Sequence, residues 1–429
     1  MIKIGQSCSE NYQRLLFTGD TMLTSNFWRS DPLSDPVNTA IIDADFAMTN
    51  LEAPIANGEP KPKWGPVIKT DRSTLDLISS VGFDATSLAN NHMLDYGFED
   101  AELTKNSCKS EGLDTAGIGS TPAEAVEPIR TVVGGTSIAI FSVAQREFGM
   151  ADNDRAGAAW SHHPKTIQVI EAESDRSDIV IVNAHGGLEH IPTPPLNWVH
   201  QLRAFVDAGV DAVIGHHPHV AQGWETRDDS VIFYSLGNWL TYQPHPGTQW
   251  SFFVEICIQN HELHHAEVTL TEQQDGIIQK MKSRDRSSHK QYLIRSGELS
   301  GDRAIWQAIA THLFEEEYSR RLSDWSSSII GTLTSEPIWA LDRLTQDFSR
   351  DLDRSEKDLS IINYLQNESH SEAIRTALEL RSGVISDRRT PQVNEDVEYL
   401  LEFVSKTPKE SFIERMNRRI KTAIRRIKE

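Results

Sequence analysis

Five short apolar runs in the first 240 residues end on side chains that bind metal ions. Gly19–Asp20 follows LLFT, Asn50–Glu52 follows FAMT, Asn90–His92 follows ATSLA, His185 follows IVNA, and His216–His219 follows DAVIG. A lone aspartate in such a place is ordinarily a cap or turn residue, and a lone histidine ordinarily a hydrogen-bonded structural one. Five together describe a site. His217-Pro218-His219 is its sharpest piece, because on an extended or looped segment imidazoles at i and i+2 can reach one point while proline stiffens the turn between them. Asp20 and Glu52 supply the negative charge that holds divalent ions, Asn91 a carbonyl oxygen, and His185 a neutral nitrogen. Such a mixed oxygen and nitrogen set suits one or two Mn, Fe or Zn ions better than Ca or Mg alone.

The elements that must position these residues follow from the apolar pattern. Branched apolar runs (LLFT, FAMTNL, FDATSLAN, SIAIFSV, DIVIVNAH, DAVIGH, VIFYSLGN) alternate with stretches of helical period from about residue 15 to 256, which predicts an α/β fold. Helices are expected over 71–80, 97–111, 164–172 and 196–208, the last presenting Trp198, Leu202, Phe205 and Val206 on one face. In such folds ligands bind at strand ends, where the polar residues above lie. A last strand is expected at 267–270. The basic, polar stretch IIQKMKSRDRSSHK (277–290) reads as an exposed connection, so a boundary falls near 275–290. Beyond it the spacing turns helical at Ile305, Ile309 and Leu313, at Ile338, Leu341, Leu344 and Phe348, and at Tyr399, Leu400 and Phe403. Two domains are expected, 1–275 and a helical module over 290–429.

Charge divides the same way: residues 1–270 carry 35 acidic and 16 basic side chains, the remainder 27 and 26, and 13 of the 16 histidines precede residue 270. An acidic surface repels phosphate backbones, so nucleic acid is not an expected partner, and an anionic substrate would need local cations. The opening residues have no long apolar stretch or small-residue cleavage site, and Cys8, Cys108 and Cys257 form no CxxC. Both features lead to the expectation of a cytoplasmic location. A last helix is expected over 409–428, with Ile413, Met416, Ile420, Ile424 and Ile427 on one stripe among eight basic residues. It is a candidate contact for an acidic surface, either this chain's own or a partner's, or for the inner face of an anionic membrane.

The segments GDTML, DFAMTNLEAPI, SLANNHMLDYG, NAHGGLEHIPTPP, DAGVDAVIGHHPHVAQGWE and VIFYSLGNW, in this order and spacing, resemble the poly-γ-glutamate capsule synthesis (CapA-type) proteins of the calcineurin-like metallophosphoesterase superfamily. The resemblance covers roughly residues 15–256, and its most specific part runs from His185 to Asn238. It implies a four-layer α/β/β/α sandwich, with Asp20 and His219 on a first metal, Glu52 bridging two metals, and Asn91, His185 and His217 on the second. His92, beside Asn91, would be the general acid in hydrolysis of a phosphoester or anhydride by a metal-activated water. Two positions depart from the superfamily pattern. Met22 stands where a histidine ligand is usual, two residues beyond Asp20, and Glu52 replaces a shorter aspartate.

Further residues could meet substrate. Glu189, in GGLEH, either orients substrate or a histidine or caps its loop; Lys61, Lys63 and Lys69 either meet an anion or sit on a solvated loop; Trp64 either stacks on a ligand or packs back on the domain; and Arg146 either approaches the site or does not. The expected function is metal-dependent hydrolysis of a phosphorylated or polyanionic precursor in capsule or surface-polymer synthesis. Two alternatives stand beside it: a non-hydrolytic, metal-binding accessory of capsule assembly, and an amide hydrolase acting on γ-glutamyl links.

Overall fold

A computed structural model of the chain describes residues 2–5, 12–23, 28–153, 155–323 and 352–405. Two large sheets form its centre. The first runs β1 (Ile2–Gly5), β16 (Glu262–Gln274), β15 (Trp250–Gln259), β2 (Gln13–Met22), β3 (Phe46–Leu51), β4 (Ala85–Ser87) and β5 (Asp114–Ala116), with β14 (Asn238–Thr241) beside β2 and β17 (Ile277–Lys280) beside β16. The second runs β12 (Gln222–Arg227), β13 (Ser230–Ser235), β11 (Ala212–His216), β10 (Ile179–His185), β8 (Thr136–Ala144) and β7 (Ile129–Val133). A two-stranded ribbon joins β6 (Ile118–Gly119) and β9 (Gly157–Ala158). The strands β2 to β5, and likewise β8, β10, β11 and β13, are parallel, so their carboxyl ends gather at one edge of each sheet.

Strand alternation sorts the layers. Leu15, Phe17 and Met48 of the first sheet pack against Ile140, Ile181, Ile214 and Phe233 of the second, making the middle of the sandwich. The intervening residues Leu16, Ala47 and Leu51 turn outward, onto Val37 and Ile41 of α1 (Asp35–Ile42), Leu75 and Ile78 of α2 (Arg72–Ser80), and Ala101 and Cys108 of α3 (Phe98–Ser110). On the far side, beyond the short α4 (Pro122–Ala125), Phe141, Val143, Val182 and Val213 meet Ile170 of α5 (Pro164–Ser174) and Trp198, Leu202 and Phe205 of α6 (Leu196–Asp207). The result is four layers, α/β/β/α.

Three expectations are corrected. The strand expected over FDATSLAN is only Ala85–Ser87, because Asn90 Oδ1 accepts from the backbone N–H groups of His92 and Met93 and turns the chain there. VIFYSLGN is two strands, not one. Gly237 (φ 79) lets the chain leave β13 in the second sheet and enter β14 in the first. The basic stretch from Ile277 is largely exposed from Lys282 onward, as expected, but it is a strand and a helix start and not an irregular connection. Asp275 and Gly276 (φ 53 and 76) make a tight turn, β17 pairs back antiparallel on β16, and α7 (Ser283–Leu299) begins three residues later.

The helices that follow are α7, α8 (Arg303–Leu313) with a π-turn over Phe314–Tyr318, α9 (Leu352–Gln366), α10 (Glu368–Arg381) and α11 (Pro391–Ser405). They share cores with the sandwich. Tyr292, Leu293, Leu400 and Val404 join the inter-sheet cluster, while Trp306, Phe314, Tyr318 and Tyr364 pack with Leu188 and Ile191 from the loop after β10 and with Leu196 at the start of α6. The expected apolar repeat from Ile338 to Phe348 and the helix expected over 409–428 lie outside the described residues. Among the described residues no helix is long and apolar enough to cross a membrane.

Candidate metal centre

Backbone close approaches bring the ligand residues together. A Cβ on Gly19 would lie 1.8 Å from the carbonyl oxygen of Gly237, so glycine is the residue that fits. Across that contact the Asp20 N–H donates to Gly237 O (3.1 Å), and Thr241 Oγ1 donates to Asp20 O (2.7 Å). The GD and SLGN motifs are therefore two sides of one junction. Asn238 thereby reaches His219, its Oδ1 lying 2.8 Å from Nδ1. On the neighbouring strand β3, Asn50 donates to Asp20 Oδ1 (2.8 Å), and the Glu52 N–H donates to Thr21 O (3.0 Å). In the second sheet His185 and His216 are register partners at the ends of β10 and β11. Directly after β11, His217 and His219 adopt φ of 99° and 59°. Left-handed backbone at a non-glycine residue costs on the order of 1–3 kcal/mol and persists where surroundings over-determine it. Here the His217 N–H is held by Asp20 Oδ2 at 3.2 Å.

Two ligand triads converge and share one carboxylate. Ligand atoms of Glu52, His185 and His217 lie within 4.8 Å of one another, as do those of Asp20, Glu52 and His219. Glu52 Oε1 is 3.8 Å from His185 Nε2 and 3.5 Å from His219 Nε2, yet both its oxygens are buried without a hydrogen-bond partner. Leaving such a group unpaired costs several kcal/mol unless a cation meets it. On the second triad, His185 Nε2 is 3.1 Å from His217 Nδ1 and 3.1 Å from Asn91 Oδ1. Three electron-pair donors facing one another suit a metal ion. Asp20, Glu52 and His219 would hold one ion, and Glu52, His185, His217 and Asn91 a second, with Glu52 common to both.

The electrostatics favour ligand states at some positions and oppose them at others. Burial keeps His217 neutral, down at about 4, and puts His185 well below its ordinary value; neutral imidazole is the form that binds metal. Burial opposes ionisation of Asp20, but His216 and His219 outweigh it and hold the carboxyl well below the usual carboxylate range. Glu52 has no hydrogen bond of that kind: burial pushes it up to about 8, and His219 and Lys63 offset this only in part. His219 is the counterpart: burial opposes its charge, yet Glu52 and Asp20 raise it to about 10. Without a cation, this pair retains a proton that a metal would displace.

His92 sits at the edge of the centre, braced from behind. Its Nδ1 lies 2.8 Å from Asp95 Oδ2 and 3.1 Å from Lys63 Nζ, and Lys63 also forms a buried ion pair with Asp95 and donates to Asn91 O (3.1 Å). Ile68 N–H donates to the same Asp95 oxygen (2.9 Å). Lys63 is thus a buried part of the site rather than a solvated loop residue. The other lysine proposed for substrate, Lys69, places its ammonium 5.5 Å from the Tyr96 ring centroid, away from the residues that line the central cavity. Arg146 is close to the site but turned aside, its guanidinium 3.9 Å from the Trp160 ring centroid. Glu189 lines the cavity: burial works against its charge, but His219, His217, His190 and His92 hold it down at about 2.

Several participants were not anticipated. Asp95 stands three residues after His92 in HMLD, a spacing that allows a His–Asp contact across one turn. Asn50 was noted only as a neighbour of Glu52. His216, read only as part of the His216–His219 run, has Nδ1 3.2 Å from Asp20 Oδ1, and Glu147, read with Arg146 as a pair that could approach the site, has Oε2 3.9 Å from His217 Nε2. Met22 is buried next to this junction and contributes no ligand.

Known proteins bear on this centre. The chain is 29% identical over 247 residues to the capsule biosynthesis protein CapA of Bacillus anthracis (55% of this chain, 60% of the relative). It is also 29% identical over 232 residues to the PGA biosynthesis protein CapA of Bacillus subtilis (53% and 61%). The chain therefore spans about 60% of the length of these relatives. Among solved structures, the 5'-nucleotidase precursor from Thermus thermophilus superposes loosely, with a TM-score of 0.39 at 12% identity over 66% of this chain and 58% of that one. The profile described as bacterial capsule synthesis protein PGA_cap matches residues 14–243, a stretch that begins just before Asp20 and holds every proposed ligand, and to that family the chain belongs.

Proposed function

We propose that the chain is a metal-dependent hydrolase of a phosphate ester or anhydride, acting in the synthesis of a capsule or other surface polymer. One observation carries the chemistry. A buried carboxylate with both oxygens unpartnered, Glu52, is shared by two ligand triads beside an imidazole braced by Asp95. Bound divalent ions (Mn, Fe or Zn) would supply Lewis acidity toward phosphoryl oxygens and lower the pKa of water to near neutrality. The chain's residues do the rest. Asp95 fixes the His92 ring through Nδ1, so Nε2 is the atom left to exchange a proton with a leaving oxygen. Burial and Lys63 lower His92 in the ligand-free protein, and the negative charge of a phosphoryl group nearby restores its proton affinity. Asn91, on the same turn, offers its amide to both ligand and substrate. The polymer context rests on family membership and on the CapA relatives, and a cytoplasmic site of action accords with Cys108 and Cys257 being buried thiols outside any disulfide.

A second reading has one observation in its favour. Met22 leaves the Asp20 side with fewer protein ligands, which suits a metal-bound accessory protein that binds without hydrolysing. The test is hydrolysis of an aryl phosphomonoester and phosphodiester with added Mn, in wild type and His92→Ala. Turnover that is lost in the variant supports the hydrolase; no turnover on either ester in wild type supports the accessory.

A further inference from the structure

The cavity over the metal centre is closed by residues that the family match does not reach. Its floor and near wall come from the sandwich, including His92, His217, Lys63, Trp64, Glu147 and Glu189. Its far wall comes from the helices after residue 300: Leu313, Glu317, Tyr318, Asn363, Tyr364 and His370. These helices are fastened to the very loops that carry the site. Glu368, at the start of α10, accepts from Trp160 Nε1 (3.1 Å) and donates its N–H to Arg146 O (3.2 Å); Ser369 Oγ donates to Gln145 Oε1, which also holds the Gly187 N–H. Lower down, the Asn197 N–H donates to Glu372 Oε2 at 3.0 Å. The far wall is itself ordered: Tyr318 Oη lies 2.7 Å from His370 Nδ1, and Tyr364 Oη donates to Glu317 Oε1 (3.2 Å).

The chemistry of this wall limits what can stand in front of it. Lys63 is the one lysine or arginine lining the cavity among the described residues, and it is committed to Asp95. Arg321, behind the wall, is paired with Glu317 (3.5 Å) and lies 5.1 Å from the Trp64 ring centroid. Away from the metal ligands and His92, then, the cavity offers aromatic rings, the Asn363 amide, the imidazoles of His190 and His370, which meet Gln243 and Tyr318, and the carboxylates of Glu147, Glu189 and Glu317, with no free lysine or arginine among the described residues to receive a second anionic group. Carboxylates accept hydrogen bonds and donate none, so they suit hydroxyls and repel other carboxylates and phosphates. Aromatic rings suit the apolar face of a ring-sized group. The cavity volume of about 250 Å³ falls below the roughly 300 Å³ at which pockets for drug-sized ligands begin. It has room for about one ring-sized unit at a time.

We infer that the helices beyond the family region make this site selective for a single phosphoryl group carried on an uncharged, hydroxyl-bearing ring of the sugar class, and against a polyanionic strand. The inference deepens the hydrolase reading and replaces the expectation of a polyanionic precursor. Binding is measured separately from turnover so that the two can fail independently. Calorimetric titration of the full chain, carrying His92→Ala so that no ester is turned over during the measurement, is made with added Mn and glucose 6-phosphate, fructose 1,6-bisphosphate, tri-γ-glutamate or inorganic phosphate. Glucose 6-phosphate should bind at least tenfold more tightly than the bisphosphate or the peptide. In Tyr364→Ala its advantage over inorganic phosphate should shrink about tenfold. Trp64→Ala, on the opposite wall and outside the helical core, should shrink the same ratio even if the tyrosine variant folds poorly. Selective binding with no hydrolysis of any ester would support the inference while removing the hydrolase. Equal or tighter binding of the bisphosphate or tri-γ-glutamate, or an unchanged ratio in both variants, would overturn it.

Discussion

Replacing Glu52 by glutamine separates a metal centre from a merely polar core. In the metal-free chain Glu52 has no hydrogen bond to lose, and burial has already raised its carboxyl to about 8. The near-isosteric, uncharged amide should therefore leave the metal-free protein as stable as wild type, or slightly more so. With metal the comparison reverses. A ligand at a hundred times its Kd stabilises the folded state by about 2.7 kcal/mol, which for a protein of this size raises Tm by roughly 3–5 °C. Glu52 belongs to both triads, so the variant should lose most of that rise rather than half of it. Calorimetric melting of each protein, first with chelator and then with Mn, reads both effects. A variant that keeps the full Mn-dependent rise, or one that melts several degrees below wild type without metal, would refute the reasoning.

Other outcomes follow from the same geometry. His92→Ala should lower turnover by about 10²–10⁴-fold and leave metal content unchanged, since His92 stands outside both triads; elemental analysis beside initial rates checks this. Metal binding should release at least one proton per chain at pH 7, because Glu52 at about 8 and His219 at about 10 both hold protons there, so affinity for Mn should rise with pH between 6 and 8. Titrations in two buffers of different ionisation enthalpy count that proton, and a count of zero would contradict the assignment. At the seam between α10 and the sandwich, burial raises Glu372 to about 7. A carboxyl raised in the folded state contributes stability that is fully present below about 4.5 and lost as pH rises through about 7, a change of at most about 3 kcal/mol. Glu372→Gln keeps an oxygen for the Asn197 N–H and should flatten that part of the pH–stability curve, which denaturant melts at pH 5 and 8 would show.

The ligand residues could be read from the sequence because each lies near or just beyond the carboxyl end of a parallel strand, where the apolar run stops and polar side chains face the shared edge. Their supports could not. Asp95 and Lys63 meet across 32 positions through a proline-rich loop whose path no periodicity fixes, and Asn50 reaches Asp20 only because β2 and β3 align them in register. The short strands β14 and β17 escaped for a related reason. Four residues give too little alternation to detect, and pairing with β2 and β16 supplies what local preference does not. The far wall was the least legible. Tyr318, Tyr364 and His370 belong to a region that read only as helical, and which helix face would lie over the centre depends on docking against Leu188, Ile191 and Leu196, residues after β10 and at the start of α6 that stand more than a hundred positions earlier.

The most direct test of the central claim is the number of metal ions each chain retains when purified without chelator, in wild type and in His217→Ala. His217 serves one triad and Glu52 serves both. Wild type should hold close to two ions per chain and His217→Ala close to one. A wild type that retains none after Mn is added, or a variant that holds as much as wild type, would contradict the metal centre described here.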